Sequence, residues 1–348
     1  MSAANRERAK LLGRIFPGGV PRLWCPPLTH YAPDGAIDDL RIAAHLRHLS
    51  SHIGGVLMPG STGDAWELSK AERRQLLEIA VEQAQELNLQ VLIGTLHPNP
   101  NETLNLVRED LEWLKSRLGE PDTVALLAKA RVCGFTICPP RGTGLTQGEI
   151  GRALTSFLEL ELPTAIYQLP QVTLNEIGPD LATDLARRYQ NFLFLKDTSG
   201  SDAIVLSGAN LGDVFAARGA EGDYFRWLKV SGGPYDGFLL ASANCFARQL
   251  QQIITDISAG RLDAARRLSE RLTAAVGEVM HLANGLPHGN PFANANKAID
   301  HFFAYGPKAA NESPPRLHAG SLLPVELLRC TGEILQREQL MPRDGYLQ

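Results

Sequence analysis

The chain has 348 residues, 44% of them hydrophobic and 21% charged, enough apolar material for a large core at the polarity of an ordinary globular protein. Its 34 basic and 38 acidic residues are well mixed and leave a net charge of -4, which argues against nucleic acid or an anionic membrane as the main partner. Five scattered cysteines, an odd number, speak against a disulfide framework and suit a reducing, cytoplasmic compartment, and no stretch approaches the roughly 20 apolar residues of a membrane span.

Residues 1–20 read as a lead segment. Arg6, Glu7, Arg8 and Lys10 are followed only by the short apolar pair Leu11-Leu12, so a secretory signal is not expected. From there short apolar runs alternate with helical patterns. The runs Leu23–Cys25, Gly55–Met58, Val91–Gly94, Gly134–Cys138, Thr164–Gln168, Phe192–Lys196, Val214–Ala217 and Gly237–Leu240 are predicted strands. Between the second and third, Leu77, Ala80, Ala84 and Leu87 form one helical stripe within 70–87. Capping-box spacing marks two helix starts, Ser69 with Glu72 and Thr146 with Glu149. The interval 101–131 is long enough for an extra helix.

Beyond about Gly260 the strand signals stop. Helical patterns continue over 262–282, 294–303 and 325–339, broken by prolines. Eight strands each followed by a helix predict an α/β fold, a (β/α)8 TIM barrel over 21–260, with a C-terminal helical extension over 261–348 packed on it. A doubly wound open sheet shares the same alternation, and strand counting does not separate the two.

The chemistry concentrates where predicted strands end. Lys196 closes the apolar run Phe192–Leu195 and is followed by Asp197-Thr198-Ser199-Gly200. An ordinary lysine, with a pKa near ~10.4, is protonated at neutral pH, but desolvation disfavours the ammonium and frees an amine able to attack a carbonyl. Tyr167-Gln168-Leu169-Pro170 ends the preceding strand, so Tyr167 and Lys196 should be neighbours. Gly60-Ser61-Thr62-Gly63-Asp64 follows the second strand and offers hydroxyls and close backbone N–H groups to a carboxylate. A lysine amine, a phenol and a carboxylate cradle suit condensation with the ketone of a 2-oxo acid. The resulting iminium is an electron sink for breaking a bond at the adjacent carbon. No metal or organic cofactor is required.

These motifs, in this order, resemble the dihydrodipicolinate synthase/N-acetylneuraminate lyase family of Schiff-base (β/α)8 enzymes. Gly60–Asp64 is similar to the family's Gly-Thr-Thr-Gly-Glu, and Leu68-Ser69-Lys70-Ala71-Glu72-Arg73 to its Leu-Thr-x-x-Glu-Arg. Tyr167–Pro170 resembles Tyr-Asn-x-Pro, and Lys196–Gly200 resembles Lys-Asp-Ser-Ser-Gly. Asp34-Gly35-x-Ile37-Asp38 adds an early Asp-Gly-x-Ile-Asp. The resemblance implies that Lys196 forms the Schiff base and Tyr167 shuttles protons. Ser61, Thr62, Gly63 and Thr198 would hold the pyruvate-like part of the substrate. It further implies a small-molecule 2-oxo acid as the partner and a homo-oligomer, dimer or tetramer.

Two family features are absent. The family's synthases carry a tyrosine pair after the fourth strand, where this chain has Cys138-Pro139-Pro140-Arg141-Gly142. They also carry an arginine after Tyr-Asn-x-Pro, where it has Gln171-Val172-Thr173. Arg141, ahead of the helix capped by Thr146, is a candidate contact for a distal acidic group, and His30 and Tyr31 are candidates to replace the missing phenol. His45, His48 and His52 share a helical spacing, but no carboxylate or cysteine completes a metal set. Cys133 and Cys138 flank a strand and should face different surroundings.

Overall fold

In the computed structural model, which describes residues 3–347, each apolar run is a strand. They are β1 (Leu23–Cys25), β2 (Gly55–Met58), β3 (Gln90–Gly94), β4 (Val132–Ile137), β5 (Thr164–Gln168), β6 (Phe192–Asp197), β7 (Phe215–Arg218) and β8 (Gly237–Leu239). Apart from Gln90, every residue in them is buried, as a parallel sheet covered on both faces requires. The strands hydrogen-bond in chain order into a closed barrel, which decides against the open sheet. Boundaries moved by one or two residues where pairing outran hydrophobicity. β4, for example, starts at Val132 because that residue pairs with Val91 ahead of an irregularity in the β3–β4 register.

The helices in order are α1 (Ala3–Ile15), α2 (Asp39–Leu49), α3 (Lys70–Leu87), α4 (Pro100–Leu118), α5 (Thr123–Lys129), α6 (Gln147–Leu158) and α7 (Pro170–Thr173). They continue as α8 (Pro179–Arg188), α9 (Ala203–Leu206), α10 (Tyr224–Trp227), α11 (Ala243–Ser258), α12 (Leu262–Ala283), α13 (Pro291–Tyr305) and α14 (Val325–Arg337). Both capping boxes form, at Ser69 on α3 and Thr146 on α6. The long fourth interval holds two helices, α4 and α5. None of the described helices is long and apolar enough to cross a membrane.

The chain divides into two compact units. The first comprises residues 1–22, 90–220 and 234–239, with α1, α4–α9 and β3–β8; the second comprises 23–89, 221–233 and 240–348, with the remaining elements. In the first unit α1 gives the lead segment a structural task. Arg8 is fully buried and donates to Phe192 O at 2.8 Å, to Tyr189 O at 2.8 Å and to Ala186 O. It thereby satisfies carbonyls at the end of α8 and the start of β6 that no helix bond reaches. In the second unit α11–α14 pack against one another, with Phe246 and Phe303 in edge-to-face contact at 5.3 Å.

Candidate active site

Tyr167 and Lys196 are paired directly across the β5–β6 ladder. Both side chains are buried, at 2% and 4% exposure. The Lys196 Nζ lies 3.9 Å from the centroid of the Tyr167 ring. No carboxylate among the described residues forms an ion pair with this amine, and the Tyr167 hydroxyl takes no hydrogen bond from them. A lysine held against an aromatic face and left without a counter-ion is unlike the solvated surface pair that a strand-end lysine usually makes.

Thr198 lies two residues on, at 6% exposure. Its N–H donates to Gln168 O at 3.0 Å and its carbonyl accepts from Gln171 Nε2 at 3.1 Å, while its Oγ1 is buried without a partner. Gly219 makes this crowding possible, since a Cβ there would stand 2.2 Å from Thr198 Oγ1 and 3.0 Å from Lys196 Cε. The amine and the idle hydroxyl therefore border the same small space.

Beside Lys196 is a polar network that the sequence did not disclose. The Asp197 carboxylate accepts from Ser199 N at 2.9 Å, Ser199 Oγ at 2.6 Å and Tyr235 Oη at 3.3 Å. Tyr235 also donates to Asp202 at 2.6 Å, and Asp202 pairs with Arg218 Nε and Nη2, both at 3.1 Å. Burial pushes the Asp197 carboxyl up, with the Ser199 hydrogen bonds pulling the other way. Burial, then the negative charge of Asp197, pushes Tyr235 up, so it remains a phenol and a donor. This network ties the end of β6 to β7 and to the segment entering β8.

Arg141 lies on an exposed loop, its N–H donating to Pro98 O at 3.0 Å. Asn175, not singled out from the sequence, clamps that loop by donating to Pro140 O at 2.7 Å and Gly142 O at 3.1 Å.

In the second unit Ser61–Gly63 form a single 3-10 turn at the carboxyl end of β2. Ser61 Oγ accepts from Trp66 Nε1 at 2.8 Å and its carbonyl from Asn290 Nδ2 at 3.0 Å. Gly63 is required by close approach, because a Cβ would come within 2.5 Å of Pro27 O. Its carbonyl accepts from Thr29 Oγ1 at 2.7 Å. Thr62 is buried, and its hydroxyl takes no hydrogen bond from the described residues. Asp64 ends the turn with a left-handed φ of 61° and accepts from Tyr31 Oη at 3.0 Å and Lys297 Nζ at 2.9 Å.

Tyr31 is thus committed to Asp64, and burial together with that carboxylate pushes its phenol up. His30 is likewise engaged, its Nε2 standing 3.0 Å from His45 Nδ1, while His45 Nε2 lies 2.7 Å from Asn244 O. Burial first, then Arg41, lowers the His30 imidazole well below its ordinary value. His48 stacks on Tyr346 at 4.9 Å. Among the described residues, no group of three or more histidine, cysteine or acidic side chains is placed to hold a metal. Cys133 and Cys138 point to Val91 O and His97 O respectively, in separate surroundings.

The model of the dihydrodipicolinate synthetase family matches residues 20–111 and 152–287, well over half of the chain. The chain belongs to the dihydrodipicolinate synthetase family. A 4-hydroxy-tetrahydrodipicolinate synthase from Methanospirillum hungatei is 23% identical over 276 residues, covering 78% of this chain and 87% of that protein. A probable mitochondrial 4-hydroxy-2-oxoglutarate aldolase from Emericella nidulans is 22% identical over 299 residues, covering 82% and 87%. Among solved structures, a prophage protein of the family from E. coli K12, in complex with pyruvate, superimposes with a TM-score of 0.72 at 21% identity, over 92% of this chain and 99% of that one. The unmatched stretch within the family model, 112–151, contains Arg141 and the loop after β4, the same place where the tyrosine pair is absent.

Proposed function

We propose that the chain is a lyase that forms a Schiff base between Lys196 and a 2-oxo acid and breaks a bond at the carbon adjacent to the iminium carbon. The observation that carries the reading is the Lys196–Tyr167 pair, both side chains buried, on adjacent parallel strands at their carboxyl ends. In its neutral form the lysine amine adds to the ketone, and the carbinolamine expels its hydroxyl as water to give the iminium. Tyr167 supplies the proton for that departure and recovers one from the substrate hydroxyl as the carbon–carbon bond breaks. The bonding electrons move into the iminium to leave an enamine and a free aldehyde, and Tyr167 returns its proton to the enamine carbon. Hydrolysis then frees pyruvate and the amine.

The Thr198 hydroxyl, buried and idle beside Lys196, is proposed to accept or donate at the carbinolamine oxygen. Ser61, Thr62 and Gly63 are assigned the substrate carboxylate on the strength of their motif, and Arg141 a distal acidic group. The substrate class is pyruvate-releasing 2-oxo acids, including 2-oxo-3-deoxy sugar acids, with dehydration as the companion reaction on the same iminium. Condensation of pyruvate with aspartate semialdehyde is the lesser reading, because Cys138–Gly142 and Gln171–Thr173 lack the tyrosine pair and the arginine of the family's synthases.

The test is peptide mass spectrometry after pyruvate and borohydride. A reduced pyruvate adduct is expected on Lys196 and none in Lys196→Ala. An unmodified Lys196 peptide after saturating treatment would sink the proposal, and a panel of 2-oxo-3-deoxy acids assayed for pyruvate release identifies the substrate. Light scattering of the purified chain tests the proposed homo-oligomer.

A further inference from the structure

The second unit contains a cavity of about 250 Å³ that the proposed reaction does not use. Its walls come from the loop after β1, from α2 and α13, and from the irregular segment 313–322. Three cations face it. Two are already neutralised: Arg41 by Asp300 at 2.8 Å, and Lys297 by Asp64 at 2.9 Å. The third is Arg316, which has no carboxylate partner among the described residues. Its Nη1 donates to Gly320 O, and its Nε is buried with no acceptor. The group left for a ligand is therefore Nη2, a cationic N–H donor that favours an anionic oxygen such as a carboxylate's.

The other lining groups do not supply that acceptor. Asp38, the remaining acid on the wall, spends one carboxylate oxygen capping α2 through Arg41 N at 2.9 Å. Lys297 makes one ion pair and leans on the Tyr31 ring at 4.7 Å, which leaves ammonium protons undirected. Pro33, Pro314, Pro315 and Leu322 add apolar surface to the lining, which suits a carbon skeleton better than a bare inorganic ion.

We propose that this cavity, whose lining does not include Lys196, binds a small organic carboxylate held by Arg316 Nη2 and by Lys297. Because Lys297 also holds Asp64, which ends the Ser61–Gly63 turn, a bound carboxylate competes for the ammonium that fixes that turn. The expected consequence is a raised KM for the 2-oxo acid. That consequence rests on the function proposed above; the binding itself does not.

The experiment is titration calorimetry of the full chain with succinate, with inorganic phosphate and with neutral succinamide. Each is run on untreated protein, on protein reduced with pyruvate and borohydride, and on Lys196→Ala. One succinate per chain is expected, with the same affinity in untreated protein and in Lys196→Ala, and a weaker affinity in the pyruvate-capped protein, because coupling between two sites is reciprocal. Arg316→Gln and Arg316→Lys, both at a half-exposed position, are expected to weaken it by about tenfold or more, with phosphate and succinamide weaker still. Absence of succinate binding up to roughly 10 mM would overturn the site. So would an affinity in both Arg316 variants equal to that of the unsubstituted chain, phosphate as tight as succinate, or binding lost in Lys196→Ala. Failure of the borohydride adduct with succinate binding intact would remove the lyase reading and leave this one standing.

Discussion

A methyl group at position 219 has nowhere to go: Thr198 Oγ1 and Lys196 Cε already occupy the space a Cβ would need. Gly219→Ala is therefore expected to displace the nucleophile more than it disturbs the barrel. Borohydride trapping of pyruvate should slow by about 10–100-fold, the range by which small misplacements degrade oriented reactions, with little change in circular dichroism. Thr198→Val removes the idle hydroxyl while keeping the shape. If that hydroxyl serves the carbinolamine, adduct formation drops by about tenfold with the thermal midpoint unchanged or raised, since a buried unpaired oxygen is lost. The sequence is informative where chemistry and periodicity coincide. Lys196 and Tyr167 each close an apolar run, so their place at strand ends could be read directly. The Asp197–Tyr235–Asp202–Arg218 network could not, because its members lie up to 38 residues apart and no local pattern links a tyrosine ahead of β8 to an acid ending β6. Lys297 with Asp64, 233 residues apart, escaped for the same reason.

Elements tell a similar story. α3 and α6 were legible because a capping box is a purely local signal, whereas α1 was read only as a charged lead. What turns those charges into structure is Arg8 reaching carbonyls of residues more than 170 positions away. Arg8→Met is expected to cost roughly 2–4 kcal/mol in urea unfolding, the sum of several charge-assisted hydrogen bonds lost and carbonyls left unpaired. Helices α2 and α13 meet through a second buried set, in which Asp300 faces Arg41 at 2.8 Å, His45 at 3.6 Å and His30 at 3.9 Å. Burial works against the Asp300 carboxylate, but the facing imidazoles, once acid has protonated them, and Arg41 more than offset it and hold it far below the usual range. Burial also lowers both histidines, so the folded chain keeps them neutral where the unfolded chain would protonate. Both histidine shifts have one sign. Their contribution is complete above the unfolded histidine value of about 6.5 and is lost progressively as pH falls below it; that of Asp300 persists until far more acid conditions. The urea midpoint should accordingly fall between about pH 7 and pH 5, and His30→Gln should flatten that dependence. An unchanged slope in the variant would show that His30 is not the group responsible.

Barrel closure is the step that strand counting leaves open and the strand pairing settles. Four of the five thiols, Cys25, Cys133, Cys138 and Cys245, are buried, and burial pushes Cys138 up to about 12, whereas Cys330 is partly exposed on α14. Brief maleimide treatment of native protein should therefore give one adduct, at Cys330, with the other four reacting only after denaturation. The two compact units are each assembled from separated stretches of chain, and the second draws on residues as late as 340–348. A ribosome delivering this polypeptide from its amino end cannot finish that unit until nearly everything has emerged, so early segments must wait, sticky and half-organised, for distant partners. Dilution out of denaturant should consequently be slow and prone to clumping at high concentration, and chaperone assistance should raise the yield.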